Sequence, residues 1–173
     1  MAIRKKLYIV SIQINFRTMT LYLLFLIIHI FSAMFWIGGT LFYVFIIFKV
    51  LTKEDMKPFK SLVIKESALQ FRNISYVIFM TLFLSGLGLI FKKHNWSDLI
   101  HGLISVKLVL FILLLISSIY HDFVTGPKTF LFSETDLIKY NQYRKISSYF
   151  GRINLLISIS IAILGVLISR GIK

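Results

Sequence analysis

The sequence predicts an all-α integral membrane protein, a bundle of four transmembrane helices in a single domain over residues 1–173. Of its 173 residues, 57% are hydrophobic and 16% are charged, whereas a soluble domain carries about 25% charged residues. The apolar residues form four runs that are each about long enough to cross a hydrocarbon layer of ~30 Å as a helix. None of the runs alternates like a strand of a lipid-facing barrel, and a bilayer otherwise admits only helices.

The first run, 18–48, lies between Arg17 and Lys49 and is longer than a span requires, so one end is expected to tilt or emerge. Residues 1–17 are basic and mildly amphipathic, which predicts an anchor lying along the membrane interface. The remaining helices are predicted at about 72–91, 99–121 and 152–169. The two longer connections are expected to hold a short helix around Pro58 to Leu69 and an N-cap run at Ser133 to Asp136.

The charge balance favours a lipid partner over nucleic acid. Twenty Lys and Arg residues face seven Asp and Glu residues, but the basic residues lie between the apolar runs, a pattern typical of contact with anionic headgroups. The distribution of the basic residues on the two sides of the membrane leaves the orientation of the protein open.

The absence of Cys excludes disulfides, thiolate metal sites and a Cys nucleophile. No P-loop or serine-nucleophile motif is present, which makes ATPase and hydrolase activities remote.

Two ionisable side chains, His29 and Lys107, are predicted deep inside the membrane. The run boundaries place them about 13 Å and 12 Å into the first and third helices, which run in the same direction. Such residues are costly in a bilayer and mark functional sites by default. No carboxylate lies at that level, so a bound anionic or metal-containing cofactor is the expected partner. The alternatives are a core histidine bonded to a backbone carbonyl, and a lysine that extends to the headgroups.

A stripe of small and aromatic residues shares the face of His29. It consists of Ser32, Ala33, Trp36, Thr40 and Tyr43. Small residues one turn from a histidine leave room for a flat ligand, with Trp36 beside it. Gly38 and Gly39 permit close approach of a neighbouring helix, and plain helix packing is the alternative reading of the whole stripe.

A second set of polar residues is predicted at the opposite level. Arg72 and Arg152 stand where the second and fourth helices are expected to begin, and a helix N-terminus with an arginine suits carboxylates or phosphates. Haem propionates and phospholipid phosphates both fit. His121 and Asp122 close the third helix, either as a metal-ligand pair or as an interfacial cap.

The candidate metal ligands do not all fit one site. His29 and His121 are separated by about 21 Å of helix, so they cannot bind one haem iron from its two faces. Met80 or Lys107 matches His29 better in depth. Soft Cu(I) prefers Cys and Met, and only Met34 and Met80 lie well inside the spans. His94 and His101 are expected to be solvated and interfacial, respectively.

The segment from His29 to Tyr43 resembles the first helix of the copper-resistance-protein-D family and of the small haem-associated bacterial protoporphyrinogen oxidases. Those oxidases also carry an Arg at the second helix and a Lys within the third, where this chain has Arg72 and Lys107. Their Asn-Glu-x-Pro motif is absent, and the His-Asp-Phe-Val-Thr-Gly-Pro segment at 121–127 is similar to the copper-resistance-D-like proteins. The resemblance to the copper-resistance-protein-D family, the broader of the two groups, is therefore favoured.

Together these features predict a small multi-pass redox protein of the inner or plasma membrane that binds haem b or a related tetrapyrrole. His29 is the expected axial ligand, Lys107 is the candidate catalytic residue beside the tetrapyrrole, and Arg72 with Arg152 is expected to hold its carboxylates. Electron transfer or porphyrinogen oxidation is the expected activity, with a membrane redox partner or a tetrapyrrole substrate. The alternatives are a copper transport or resistance protein, with His29, His121 and Met80 as metal ligands, and a non-catalytic assembly or lipid-binding protein. A homo-oligomer is compatible with all three.

Overall fold

The computed structural model describes residues 2–93, 102–133 and 135–172, with side chains from residue 19 onward except those of 48, 57, 61, 92 and 93. These ranges contain four long helices and no strand, which confirms the predicted four-helix bundle. The long helices are α1 (Ala2–Phe42), α2 (Lys60–Lys93), α3 (Leu103–Tyr120) and α4 (Leu137–Ser169). Each contributes a segment long and apolar enough to cross a membrane, so the chain is a multi-pass membrane protein.

Most helices extend beyond the predicted spans. Helix α1 continues unbroken through residues 2–17, so no helix boundary separates the basic N-terminal segment from the first span. Helix α2 absorbs most of the short helix expected around Pro58 to Leu69, and α4 begins fifteen residues before the predicted start at 152. Lys and Arg are good helix formers, so a charge marks the end of the hydrocarbon layer without ending the helix. Helix α3 instead starts later than predicted, after Gly102, whose φ is 82°.

Two of the long helices end in a π-helical turn. Helix α1 passes through Tyr43–Ile47 into the short helix Phe48–Val50, and α3 passes through His121–Thr125 into the helix Gly126–Phe132. A π-turn adds one residue to a helical turn and is frequent at functional sites. The second of these turns carries two of the polar residues singled out in the sequence.

The bundle interior combines a small apolar cluster with many small polar side chains. Helix α1 packs along α2 and α3 packs along α4, while α1 meets α4 at Trp36. The apolar cluster consists of Trp36, Phe79, Leu82 and Leu114. The buried polar residues are Ser32, Ser75, Ser85, Ser118, Thr125, Asn154 and Ser158. Small and hydroxylated residues are typical of helix contacts in membranes, where lipid provides no hydrophobic drive for association.

The N-terminus of α4 is capped by Asp136, which confirms the N-cap run predicted there. Its carboxylate accepts hydrogen bonds from the N–H groups of Ile138 and Lys139, both at 3.0 Å. The bond from the Lys139 N–H is the main cause that holds the pKa of Asp136 below its ordinary value. A lowered folded-state pKa means that the cap stabilises fully above the unfolded pKa of about 3.9 and is lost as the pH falls through the folded value.

We therefore expect Asp136→Ala to lower hydrogen-exchange protection in the first turn of α4 at neutral pH, while Asp136→Asn keeps it. The wild type should lose the same protection only below about pH 4. Protection factors measured between pH 3 and pH 7 would test this, because they correct for intrinsic exchange. Equal protection in Asp136→Ala and wild type at pH 7 would contradict the capping role.

The adjacent glycines of α1 differ in their surroundings. A Cβ built on Gly39 would lie 2.8 Å from the Phe71 ring, whereas one on Gly38 would meet nothing within 4 Å. Of the pair, only Gly39 therefore permits a close helix approach. Phe71 is itself stacked against Trp36, with ring centroids 5.7 Å apart, which limits its retreat.

We expect Gly39→Ala to destabilise the protein by about 1–3 kcal/mol through overpacking. Gly38→Ala is the matched control, and it should be neutral or stabilising by up to about 1 kcal/mol, because alanine is the better helix former. Reversible unfolding in detergent micelles compares the two variants. A larger loss for Gly38→Ala would contradict the packing at this crossing.

Candidate cofactor site and a second polar cluster

His29 is held on α2 through one ring nitrogen. Its Nδ1 lies 3.1 Å from the Leu82 carbonyl oxygen and 2.9 Å from Ser85 Oγ. The Ser85 hydroxyl donates to carbonyl oxygens of its own helix, so both neighbours of Nδ1 are acceptors and Nδ1 carries the hydrogen. The neutral ring then has its lone pair on Nε2. Among the described residues, none forms a hydrogen bond with Nε2.

Glycines on two helices make room for His29 and Lys107. A Cβ on Gly86 of α2 would lie 3.3 Å from His29 Cε1, and one on Gly165 of α4 would lie 3.2 Å from Lys107 Nζ. The ammonium group therefore lies against α4, and both side chains are half-buried.

His29 and Lys107 share one level of the bundle, as the sequence predicted. The Trp36 indole N–H donates to Ser158 Oγ at 2.7 Å, which fixes the level of α1 against α4. Seven residues back from Trp36 along α1 lead to His29, and seven residues on from Ser158 along antiparallel α4 lead to Gly165. Each of these seven-residue segments covers about 10 Å along its helix. His29 and Gly165 therefore lie at the same level, and the Lys107 ammonium group lies against Gly165.

This level lies closer to one end of the bundle than predicted. Because α3 begins at Leu103, Lys107 is four residues, or about 6 Å, from the start of its helix. Gly165 is likewise four residues from the end of α4 at Ser169. Lys107 is therefore about half as far from the start of its helix as the eight residues counted from Leu99 predict. The site lies about one helical turn from the start of α3 and from the end of α4.

Two of the predicted site residues point elsewhere. Met80 is 61% exposed on the outer surface of α2, so it is not brought to His29 as a second ligand. Trp36 is buried, with its ring packed against Phe79 at 4.4 Å and against Phe71. Because its N–H is bonded to Ser158 as well, Trp36 is a core residue and not a wall of a cofactor site.

The two arginines do not flank the His29 site. Both lie inside long helices and not at helix N-termini, so first-turn N–H groups cannot assist them. Arg72 is ten residues from Leu82, about 15 Å along α2, and its guanidinium lies 5.8 Å from the Phe123 ring centre. Arg152 is exposed, and its Nε donates to the Ser148 carbonyl oxygen at 3.3 Å. Binding of carboxylates at the His29 site by this pair is therefore not supported.

His121 belongs to a separate cluster at the other end of the bundle. It is fourteen residues from Lys107, about 21 Å along its helix, so it shares no metal with His29. Its Nδ1 lies 2.9 Å from Asp122 Oδ1, and its Nε2 lies 2.7 Å from Ser147 Oγ on α4. Both ring nitrogens are thus engaged, which disfavours His121 as a metal ligand.

The sequence gives no indication that Ser147 contacts His121, because Ser147 is an ordinary helical serine 26 residues away along the chain. The described part of the chain contains no group of three or more His, Cys, Asp or Glu side chains that could hold a metal ion. Met34 is also exposed, so the described residues assemble no soft copper site. His94 and His101 lie outside the described ranges.

Comparison with known proteins finds a distant relative. An uncharacterized protein of Aquifex aeolicus (strain VF5) is 28% identical over 148 residues, which cover 86% of this chain and 95% of that protein. No family model matches the chain. No solved structure gives a significant match.

Proposed function

We propose that this protein is a small redox protein of the cell's inner or plasma membrane that binds a b-type haem or related tetrapyrrole through His29. The observation that carries this proposal is the hydrogen bonding of the His29 imidazole. Its Nδ1–H is bonded to Leu82 and Ser85, while Nε2 is left without a partner among the described residues. Metal-binding histidines characteristically donate their other ring N–H in this way, which fixes the tautomer and raises ligand basicity.

The chain's own residues have distinct tasks in this proposal. Ser85 and the Leu82 carbonyl orient the imidazole, and Gly86 leaves the space beside Cε1. Lys107 supplies a positive charge at the same level, suited to a carboxylate of the bound group. When bound, the tetrapyrrole supplies one-electron chemistry for electron transfer or porphyrinogen oxidation.

Absorption spectroscopy with metal analysis tests the proposal directly. The protein purified from haem-supplemented cells should show a Soret band and contain iron in proportion to the chain. Neither chromophore nor metal in such a sample would reject the proposal in favour of an assembly or lipid-binding protein. Stoichiometric copper without a Soret band would instead favour copper transport.

Lys107→Met tests the charge beside the ring. A charge-assisted hydrogen bond contributes about 1.5–3 kcal/mol, so we expect titration with haem to show roughly 10- to 100-fold weaker binding, with the Soret position unchanged. Lys145→Met, at an exposed lysine of α4, is the matched control and should bind like the wild type. Equal affinity of both variants would remove Lys107 from the site.

A further inference from the structure

The hydrogen-bond chain Asp122–His121–Ser147 has the connectivity of an activated serine nucleophile. A carboxylate oxygen can only accept, so Asp122 fixes the hydrogen of the neutral ring on Nδ1, at 2.9 Å. Nε2 then accepts the Ser147 hydroxyl proton across 2.7 Å. A nucleophile within hydrogen-bond reach of a base, with that base oriented by a third group, is the general signature of covalent catalysis.

The hydrogen-bond partner of the Ser147 hydroxyl supports this interpretation. Helical serines in this protein commonly donate to a backbone carbonyl three or four residues earlier, as Ser67, Ser75 and Ser158 do. Ser147 is bonded to the imidazole instead. With the ring hydrogen on Nδ1, the Ser147 proton is directed to Nε2, the base that would take it on attack.

There is room for a reacting group at this position. Gly151 follows Ser147 by one turn on the same face of α4, and a Cβ built on it would meet nothing within 4 Å. Asp122 and His121 are themselves only partly exposed, so the base is sheltered while the space on the α4 side is open.

The level of Ser147 indicates the class of substrate. Ser147 is eleven residues from Ser158 on α4, and Ile47 is eleven residues from the bonded Trp36 on antiparallel α1. Ser147 therefore lies at the level where the α1 span, Met19–Ile47, ends. On α4, charged residues flank Ser147 on both sides, and the uncharged run 153–169 follows them. Ser147 thus borders an apolar run at the interfacial level, where the ester groups of lipids lie. Exposed Arg144 and Lys145 at the same level of α4 suit an anionic headgroup.

We propose that Ser147 is a nucleophile that accepts the acyl group of a carboxylic ester in a membrane amphiphile. Oγ forms a bond to the ester carbonyl carbon while its proton passes to His121 Nε2. The ester C–O bond then breaks, and the departing alcohol takes that proton. Water, deprotonated by the same imidazole, hydrolyses the acyl-serine to the free acid and restores the hydroxyl.

The helical setting predicts a slow reaction. The N–H groups around Ser147 are used within α4, so α4 itself provides no backbone oxyanion hole. Losing one such donor costs an enzyme about 10²- to 10³-fold in rate. Covalent labelling is therefore a better readout than turnover. The probe is a fluorescent alkyl fluorophosphonate, applied to the full-length protein in detergent and followed by in-gel fluorescence and peptide mass spectrometry.

We expect the wild type to be labelled on Ser147, and the neighbouring exposed Ser148→Ala control to be labelled equally. Ser147→Ala should abolish labelling, and His121→Gln and Asp122→Asn should each slow it at least tenfold. A single thermal transition like that of the wild type will show that the variants are folded. Labelling that persists in Ser147→Ala, or a rate unchanged in both His121→Gln and Asp122→Asn, would overturn the proposal, as would an unlabelled wild type. The outcome does not depend on tetrapyrrole binding at His29.

Discussion

Replacing His29 with alanine is expected to abolish the Soret band of the purified protein. The side chain contributes a nitrogen lone pair that is held in a fixed direction, because Nδ1 is tied to Leu82 and Ser85. Alanine leaves a gap against Gly86 and no ligand. Samples of wild type and variant expressed with haem supplementation, at matched protein concentration, give the comparison.

The matched control is His121→Ala, since His121 is also half-buried but lies about 21 Å away along the bundle. It should retain the full Soret absorbance. Ser85→Ala removes one of the two acceptors of Nδ1–H, and loss of such an outer partner typically costs 10- to 100-fold in affinity. A Soret band that survives in His29→Ala, or disappears equally in both histidine variants, would contradict the ligand assignment.

The number and class of the helices were predictable because burial in lipid requires long charge-free runs. The helix ends were not, because a helix continues past the membrane boundary when the following residues, such as the lysines and arginines of 137–152, are good helix formers. The late start of α3 at Leu103 also places Lys107 nearer to the start of its helix than a count from the first apolar residue of the run, Leu99, predicts.

The sequence could place His29 and Lys107 at one level, because two parallel helices and two residue counts are enough for that. It could not predict which face of each helix turns inward. Helices that are apolar on all sides carry little periodicity, so the outward position of Met80 and the core position of Trp36 depend on the neighbouring helices. The Ser147 contact joins residues on two helices, and only the packing of α3 against α4 reveals it.

Trp36→Ala is expected to give the largest loss of stability of any single change in the bundle. The indole is 6% exposed and packs against Phe79 and Phe71, and deleting a buried aromatic side chain costs about 3–5 kcal/mol. Reversible unfolding in mixed micelles should show this loss. Trp36→Phe keeps most of the volume and removes the N–H bonded to Ser158, for which hydrogen bonds between membrane helices suggest about 0.6–1.7 kcal/mol.

The same pair of variants separates the core role of Trp36 from a role at the cofactor. A core residue seven positions from His29 acts on the site only by holding α1 against α4, so Trp36→Phe should bind haem with the affinity of the wild type. Ser158→Ala removes the same hydrogen bond from the other side, and its loss should not add to that of Trp36→Phe in the double variant. If Trp36→Phe shifted the Soret maximum while remaining folded, the indole would contact the ring, and the assignment of Trp36 to the core would be wrong.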